Sequence, residues 1–251
     1  MITLSSDFGS PYPAAMKGVI LGRTDARLVD VAHDFPRQDV RAAAFWLREV
    51  LPYFPPAVHL VVVDPGVGTD RNALVVRAGE HLLVGPDNGV LLPAARELAG
   101  DADIEVYEWA YEDPDSATFH GRDVFAPAAA AVHEAGVDGF EALDRATPAE
   151  EYDDLQFPES RSRAGGAEGE VLVVDGFGNT VTNVPGETLE GLDEVEVNGE
   201  RAPVEPAYAR VRPGTRLVTV GSHGNVELAV NRGRGDEAFG VDVGDRVELA
   251  W

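Results

Sequence analysis

The sequence has no cysteine, which excludes disulfide stapling and thiolate metal sites. It has no continuous apolar segment of membrane-spanning length, and no basic leader precedes an apolar stretch, because Met1 runs straight into a first strand. A cytoplasmic location without membrane partners is therefore expected. Lysine is almost absent: of 20 basic residues only Lys17 is Lys, the other 19 being Arg. Against them stand 44 acidic residues, a net charge of −24, and such a surface disfavours nucleic acid and anionic lipid as partners. Its self-repulsion is relieved by salt, since the Debye length shrinks to about 3 Å at 1 M. The composition points to a salt-adapted cytoplasm, with an acidic mesophilic protein as the alternative. The 251 residues suffice for one large domain or two small ones, either with a sizeable core.

The chain is organised around Leu60 to Arg71, LVVVDPGVGTDR. Leu60 to Val63 are apolar and mostly β-branched, so they read as a strand buried on both faces, of the kind found in parallel sheets. Ligand sites gather at the carboxyl ends of such strands. Gly66 and Gly68 remove Cβ atoms where the backbone approaches a ligand or takes φ > 0, and Asp64 and Arg71 put opposite charges across one short loop. A tight turn with a salt bridge is the alternative reading.

Before this stretch, Ile2 to Ser5 reads as a strand and Ala14 to Gly22 as a helix, leaving Asp7 at the strand's carboxyl end. There a carboxylate can accept hydrogen bonds from both hydroxyls of a ribose, or serve as a helix cap or Asx turn. Leu28 to Val31 is a second strand, and Val40 to Leu51 a helix stopped by Pro52. His33-Asp34 lacks the partner cluster of a metal site and reads as a structural polar loop. Strand-like runs Ala73 to Ala78 and His81 to Val84 flank a turn at Gly79-Glu80. A helix over Leu91 to Leu98 and a strand over Ile104 to Tyr107 follow. Val124 to His133 is a helix opened by Thr118-Phe119-His120-Gly121-Arg122-Asp123. Met16 and the scattered aromatics read as core. Residues 160 to 170, SRSRAGGAEGE, have the composition of an exposed linker, and 236 to 245 that of a solvated acidic edge. The expected organisation is an N-terminal α/β sandwich-like domain with a largely parallel sheet over 1–160, and a smaller all-β barrel over 161–251.

Five motifs in order, SDFG at 6–9, DPGVGTDR at 64–71, PDNGVL at 86–91, TFHGRDVFAPAAA at 118–130 and VDGFGNTVTN at 174–183, resemble the S-adenosyl-L-methionine (SAM) hydrolase family. This family is also called SAM hydroxide adenosyltransferase and is related to SAM-dependent chlorinases and fluorinases. The resemblance implies an enzyme that splits SAM into adenosine and L-methionine by water attack at C5′, with SAM as substrate and no cofactor or metal. It implies catalytic Asp64, Arg71 and His120, a ribose contact at Asp7, and methionine contacts at Asp175 and Asn179. Ser222, Asn231 and Arg232 fall in segments that complete the pocket around methionine and adenine. It also implies a homotrimer with sites at subunit interfaces. The loop from Asp7 to Lys17 is shorter than the family's usual form and lacks its second Asp, which leaves the contacts of Ser10 to Pro13 open.

Three rivals remain at this level. The halogenating relatives lack the Asp/Arg/His set, whose presence here argues for hydrolysis. A SAM methyltransferase also uses a strand and an acidic Gly-rich loop, but here Arg71 stands where its third Gly belongs, and a strand follows the loop where a helix must open. A non-catalytic SAM or nucleoside sensor would not need Asp64, Arg71 and His120 together. At Asp175-Gly176-Phe177-Gly178-Asn179, a hairpin turn closed by an Asx hydrogen bond is the alternative to an ammonium site.

Overall fold

The computed structural model describes every residue except Asp113. The chain forms two units, Met1–Gln156 and Phe157–Trp251. In the first, the elements are β1 (Ile2–Ser6), α1 (Tyr12–Leu21), β2 (Leu28–Ala32), α2 (Val40–Val50), β3 (Val58–Val62), β4 (Ala73–Ala78) and β5 (His81–Pro86). They continue with α3 (Leu92–Ala99), β6 (Glu105–Trp109), α4 (Ala126–Ala135) and β7 (Ala146–Pro148). The strands make one sheet in the order β2-β1-β3-β5-β4-β6-β7. The β2-β1-β3-β5 half is parallel, and the pairs beyond β5 are antiparallel.

Every residue of β3 is buried, because β1 and β5 pair with its two edges and helices cover its faces. Met16 and Ile20 of α1 and Ala128, Ala129 and Val132 of α4 pack with Leu4, Leu60 and Val62 in one core cluster. Each fully buried Leu or Val side chain contributes about 1.5–3 kcal/mol, so this strand is a rigid support for the loop it feeds. The strand begins two residues earlier than its apolar run, and that extension brings in His59, which is wholly buried. Its Nδ1 is 2.8 Å from Thr3 Oγ1 and its Nε2 is 2.9 Å from His81 Nδ1.

After the glycine loop the chain enters β4, which forms a hairpin with β5 around Gly79-Glu80. No helix opens at this loop, so the strand–Gly-loop–helix turn of a methyltransferase-type SAM site is not built here. The helix expected from Val124 starts earlier, as a π-turn over Gly121–Phe125 that runs into α4.

The second unit contains β8 (Arg161–Arg163), β9 (Gly166–Val174), β10 (Thr180–Pro185), β11 (Glu194–Val197), β12 (Glu200–Pro203), β13 (Arg216–Val220), β14 (Asn225–Val230), α5 (Gly235–Phe239) and β15 (Arg246–Ala250). Its antiparallel path β12-β11-β15-β9-β10-β14-β13 is nearly closed by a bridge between Val204 and Val218. Ala167, Val171, Val184, Val197, Val226, Leu228, Val247 and Leu249 fill the interior. The expected α/β domain and barrel are thus both present.

The linker reading of 160–170 is corrected: this stretch is the β8–β9 hairpin, with Arg161 opposite Glu168 and Arg163 opposite Gly166. Its acidic residues mark the outer face of a strand. Ala167 points inward while Glu168 pairs with Arg163 at 3.1 Å and Arg246 at 2.5 Å. Part of 236–245 likewise lies in α5, where Asp236 pairs with Arg234 at 2.6 Å. Among the described residues no helix is long and apolar enough to cross a membrane.

Candidate active site

Because β1 and β3 are parallel with Ser6 opposite Val62, the residues that follow them leave the sheet side by side. Asp7 and Asp64 thus emerge together at its carboxyl edge, where open α/β sheets present ligand sites. The turn before α4 delivers His120 to the same edge. Gly121 makes that approach possible: a Cβ there would lie 2.9 Å from Met16 Sδ and 3.3 Å from Val62 Cγ1. Asp7, Asp64 and His120 line one cavity of about 490 Å³ together with Phe8, Tyr12 and Phe119, a size in the range of small-ligand pockets.

Asp64 has a side chain only 5% exposed, and its Oδ1 accepts a hydrogen bond from the Gly66 amide at 3.0 Å. Arg71 Nε stands 3.4 Å from the same oxygen, an ion-pair distance. Burial pushes the Asp64 carboxyl above its ordinary value of 3.8, overriding the Gly66 amide, Arg71 and His120, which pull it down, while Asp7 adds to the rise. The result is a carboxylate more basic than a solvated one.

Arg71 stands behind Asp64. Its Nη1 donates to the Asp87 carbonyl at 2.6 Å and lies 3.7 Å from the Asp153 carboxylate. Tyr111 Oη donates to the Arg71 carbonyl at 3.1 Å. Gly66 leaves room for the guanidinium, since a Cβ there would fall 2.6 Å from Arg71 Nη2. Arg71 is thus held between the Asp64 carboxylate and the Asp87 carbonyl. The 86–89 loop supports both: Asn88 Nδ2 donates to the Val63 carbonyl at 2.8 Å, holding the end of β3, while Asp87 holds Arg71.

Asp7 Oδ2 accepts from the Gln38 amide at 2.6 Å, and an ionised carboxylate retains further acceptor sites for a ligand. His33 turns toward Ser6 and Asp30, with Nδ1 2.7 Å from Ser6 Oγ and Nε2 2.9 Å from Asp30 Oδ1. Among the described residues it joins no metal-ligating cluster, in line with its sequence context.

The reading of the aromatics as core is corrected at Tyr12, Tyr53, Tyr152, Phe177, Tyr208 and Trp251, which are exposed, while Phe8 and Phe119 pack against the core and also line the cavity. Phe8, Tyr12 and Phe119 meet edge to face, with ring centroids 6.1, 6.0 and 5.5 Å apart, and form a cavity wall. The available signal was adjacency: Phe8 follows Asp7 and Phe119 precedes His120. Asp123, held below the usual carboxylate range by its hydrogen bond from Arg122, also accepts from the Ser116 amide at 3.0 Å and braces this turn.

In the second unit Asp175 and Asn179 come together. Asp175 Oδ1 accepts from the Phe177 and Asn179 amides, both at 2.8 Å, and Oδ2 accepts from Asn179 Nδ2 at 3.0 Å. The Asx turn is therefore present, and Oδ2 has acceptor capacity left beyond that contact. Asn179 Nδ2 also reaches Tyr208 Oη at 3.5 Å, and that phenol donates to buried Glu227 at 2.6 Å. Burial, followed by the Glu227 contact, pushes the Tyr208 phenol up. Tyr208 and Glu227 had no sequence signal. Ser222 is exposed in the β13–β14 turn. Asn231 donates through Nδ2 to the Val211 carbonyl at 2.7 Å, and Arg232 is exposed with φ at 58°.

Residues 2–142 match the SAM hydroxide adenosyltransferase N-terminal domain and residues 169–248 the C-terminal domain. The chain belongs to this family. Among curated relatives, the (R)-S-adenosyl-L-methionine hydrolase of Salinispora tropica is 43% identical over 99% of this chain and 97% of its own. The protein of that name from Thermus thermophilus is 42% identical over 97% of each chain. A solved structure of an uncharacterized conserved protein from Thermotoga maritima superposes with a TM-score of 0.85 at 33% identity, covering 100% of both chains.

Proposed function

We propose that the protein hydrolyses SAM to adenosine and L-methionine, with Asp64 and His120 polarising the attacking water and Asp7 holding the ribose. The observation that carries this reading is the convergence of Asp7, Asp64 and His120 on one cavity at adjacent strand ends. Water oxygen attacks C5′ in line with the sulfonium, the C5′–S bond breaks with its electron pair going to sulfur, and methionine leaves as a neutral thioether. The leaving group is already good, so the site must align water, take its proton and exclude other solvent. Asp64, made more basic by burial, is the proton acceptor in this scheme. Arg71 keeps its carboxylate aimed. The edge-to-face aromatic wall offers apolar surface to the nucleoside and favourable ring faces to the sulfonium.

The chemistry requires no metal or cofactor in this reading, and EDTA-treated protein is expected to retain full turnover. Incubation with SAM in ¹⁸O-water tests the reaction: hydrolysis puts the label in the 5′-hydroxyl of adenosine. A 5′-halo nucleoside, S-adenosylhomocysteine formed only with an acceptor, or intact SAM would each overturn it in favour of a halogenase, a methyltransferase or a sensor.

Asp175, Asn179, Ser222, Asn231 and Arg232 are assigned to the methionine and adenine parts of SAM, with Asp175 Oδ2 meeting the ammonium. Asp7→Ala and Asp175→Ala are each expected to weaken SAM binding by about one to two decades, the loss of one charge-assisted hydrogen bond. Calorimetric titration of SAM into either variant at the parental affinity would discredit that assignment.

We further propose a cytoplasmic homotrimer, each site joining the N-terminal domain of one subunit to the C-terminal domain of its neighbour, and adaptation to high salt. The net charge of −24 supports the second point, because self-repulsion is screened as ionic strength rises. Thermal unfolding is expected to shift upward from 0.1 to 2 M KCl, and a midpoint independent of salt would remove that reading. Sedimentation at high salt tests the trimer.

A further inference from the structure

The single lysine of this chain takes part in a hydrogen-bonded chain that ends beside Asp7. Lys17 Nζ donates to Asp30 Oδ2 at 2.6 Å, and Asp30 Oδ1 is 2.9 Å from His33 Nε2. His33 Nδ1 is in turn 2.7 Å from Ser6 Oγ. Ser6 is fully buried and is the last residue of β1, so its peptide leads directly into Asp7. An ionised carboxylate only accepts, so the His33 Nε2 hydrogen points to Asp30. In the neutral ring Nδ1 is then left to accept from Ser6 Oγ.

A second tie comes from the same residue: the His33 carbonyl accepts from the Gly9 amide at 2.8 Å. Both flanks of Asp7 are thus fastened to His33, while the Gln38 amide holds Asp7 Oδ2. An isolated, partly exposed Lys–Asp pair contributes little. This one differs because it orients an imidazole whose other nitrogen bonds a buried hydroxyl. Burial works against the Asp30 charge, but the Lys17 and His33 hydrogen bonds prevail and hold its carboxyl below the usual range.

We propose that Lys17, Asp30 and His33 are positioning residues that aim the Asp7 carboxylate at a vicinal diol, and so set selectivity for ribose over deoxyribose without touching the ligand. The proposal rests on the reading of Asp7 as the ribose acceptor. Two hydroxyls can bond one carboxylate only if it is held within about 0.5 Å of the required place, and a loop fastened on both sides meets that demand. The relay starts on α1, crosses β2 and stops at the carboxyl end of β1.

The test compares dissociation constants for adenosine and 2′-deoxyadenosine on the full chain, in the parent and in Lys17→Met, Asp30→Asn, His33→Ala and Asp7→Ala. The parent is expected to prefer adenosine by roughly 10-fold or more, the effect of one charge-assisted hydrogen bond. In the three relay variants this preference should fall to a third of the parental ratio or less, because adenosine loses two aimed hydroxyl contacts and 2′-deoxyadenosine only the one at its 3′-hydroxyl. An unchanged ratio in the relay variants overturns the proposal, as does an equal loss for both nucleosides, which is what a merely structural role produces. Lys17→Met keeps the test valid if His33→Ala does not fold, because the Lys17 side chain is 31% exposed and its removal leaves no cavity. Asp7→Ala separates the two ideas. If it abolishes the preference while the relay variants keep it, only the relay is wrong. If it retains the preference, the ribose reading falls and the relay proposal with it.

Discussion

Asp64→Asn and His120→Ala are each expected to slow SAM hydrolysis by about 10²- to 10⁴-fold, the usual effect of losing a positioned proton-transfer group, while SAM affinity changes far less. The distinction follows from where these groups sit. Asp64 and His120 face the reacting water in the proposed scheme, whereas ribose and methionine are held by Asp7 and Asp175. Single-turnover rates and equilibrium binding measured on the same preparations separate the two effects. Parental rates in both variants would refute the mechanism even with the products confirmed. Asp64→Asn carries a second signature. Burial lets folded Asp64 keep its proton to higher pH than the unfolded chain does, so the native state binds more protons in that window and stability falls as pH rises through it. Above the folded value the full cost of the buried charge is present. The Asn variant lacks this term, so the gap between its unfolding midpoint and the parent's should shift in its favour from pH 4 to pH 7. The parental kcat/KM should lose activity on the acid side at a pH above 3.8, the ordinary carboxylate value.

Acidification is expected to destabilise the first unit through His59. Burial, followed by the charge of His81, depresses its pKa from 6.5 to about 3, and burial lowers His81 as well. The neutral imidazole is bonded to Thr3 Oγ1 and His81 inside the sheet, and protonation would put a charge there. A depressed histidine contributes stability that is intact above pH 6.5 and is lost as pH falls toward 3. The slope approaches about 1.36 kcal/mol per pH unit for one proton, so from pH 6.5 to 4.5 the loss is on the order of 2 kcal/mol. Protonation of surface carboxylates relieves repulsion over part of the same range, so the comparison must be made with a variant. His59→Asn should be less stable than the parent at pH 7 and show a flatter dependence on pH in urea unfolding. Equal slopes in the two proteins would show that His59 is not the group responsible.

The candidate site residues sit next to strong local signals, but it was the family resemblance of the motifs around them that singled them out. Asp64 follows an uninterrupted β-branched run, Asp7 follows the first strand, and His120 precedes a helix of small residues. Each of those patterns depends on burial periodicity within a few residues, which needs no knowledge of the fold. The strand after the glycine loop was legible in the same way, from Ala73 to Ala78. The barrel was recognisable from its short β-type runs, although the β8–β9 hairpin was not, because Glu168 and Arg163 on its outer face gave it the composition of a linker.

Periodicity reports which face of a strand is buried, but not which strand lies beside it. That Asp7 and Asp64 share a cavity depends on β1 and β3 being parallel neighbours with Ser6 opposite Val62. The approach of His120 depends on the absent Cβ of Gly121 against Met16 and Val62. Arg71 is separated from Asp64 by only a short loop, yet its place behind the carboxylate is set by the Asp87 carbonyl, which β5 brings across. Ser6, Asp30 and His33 are brought together because β1 and β2 pair in parallel. The residue types, their order and the family they resemble were therefore decided locally by the chain. Which carboxylate became basic, which arginine became a support and which aromatics became a wall were decided by strand register and helix packing, because burial and pairwise distances exist only in three dimensions.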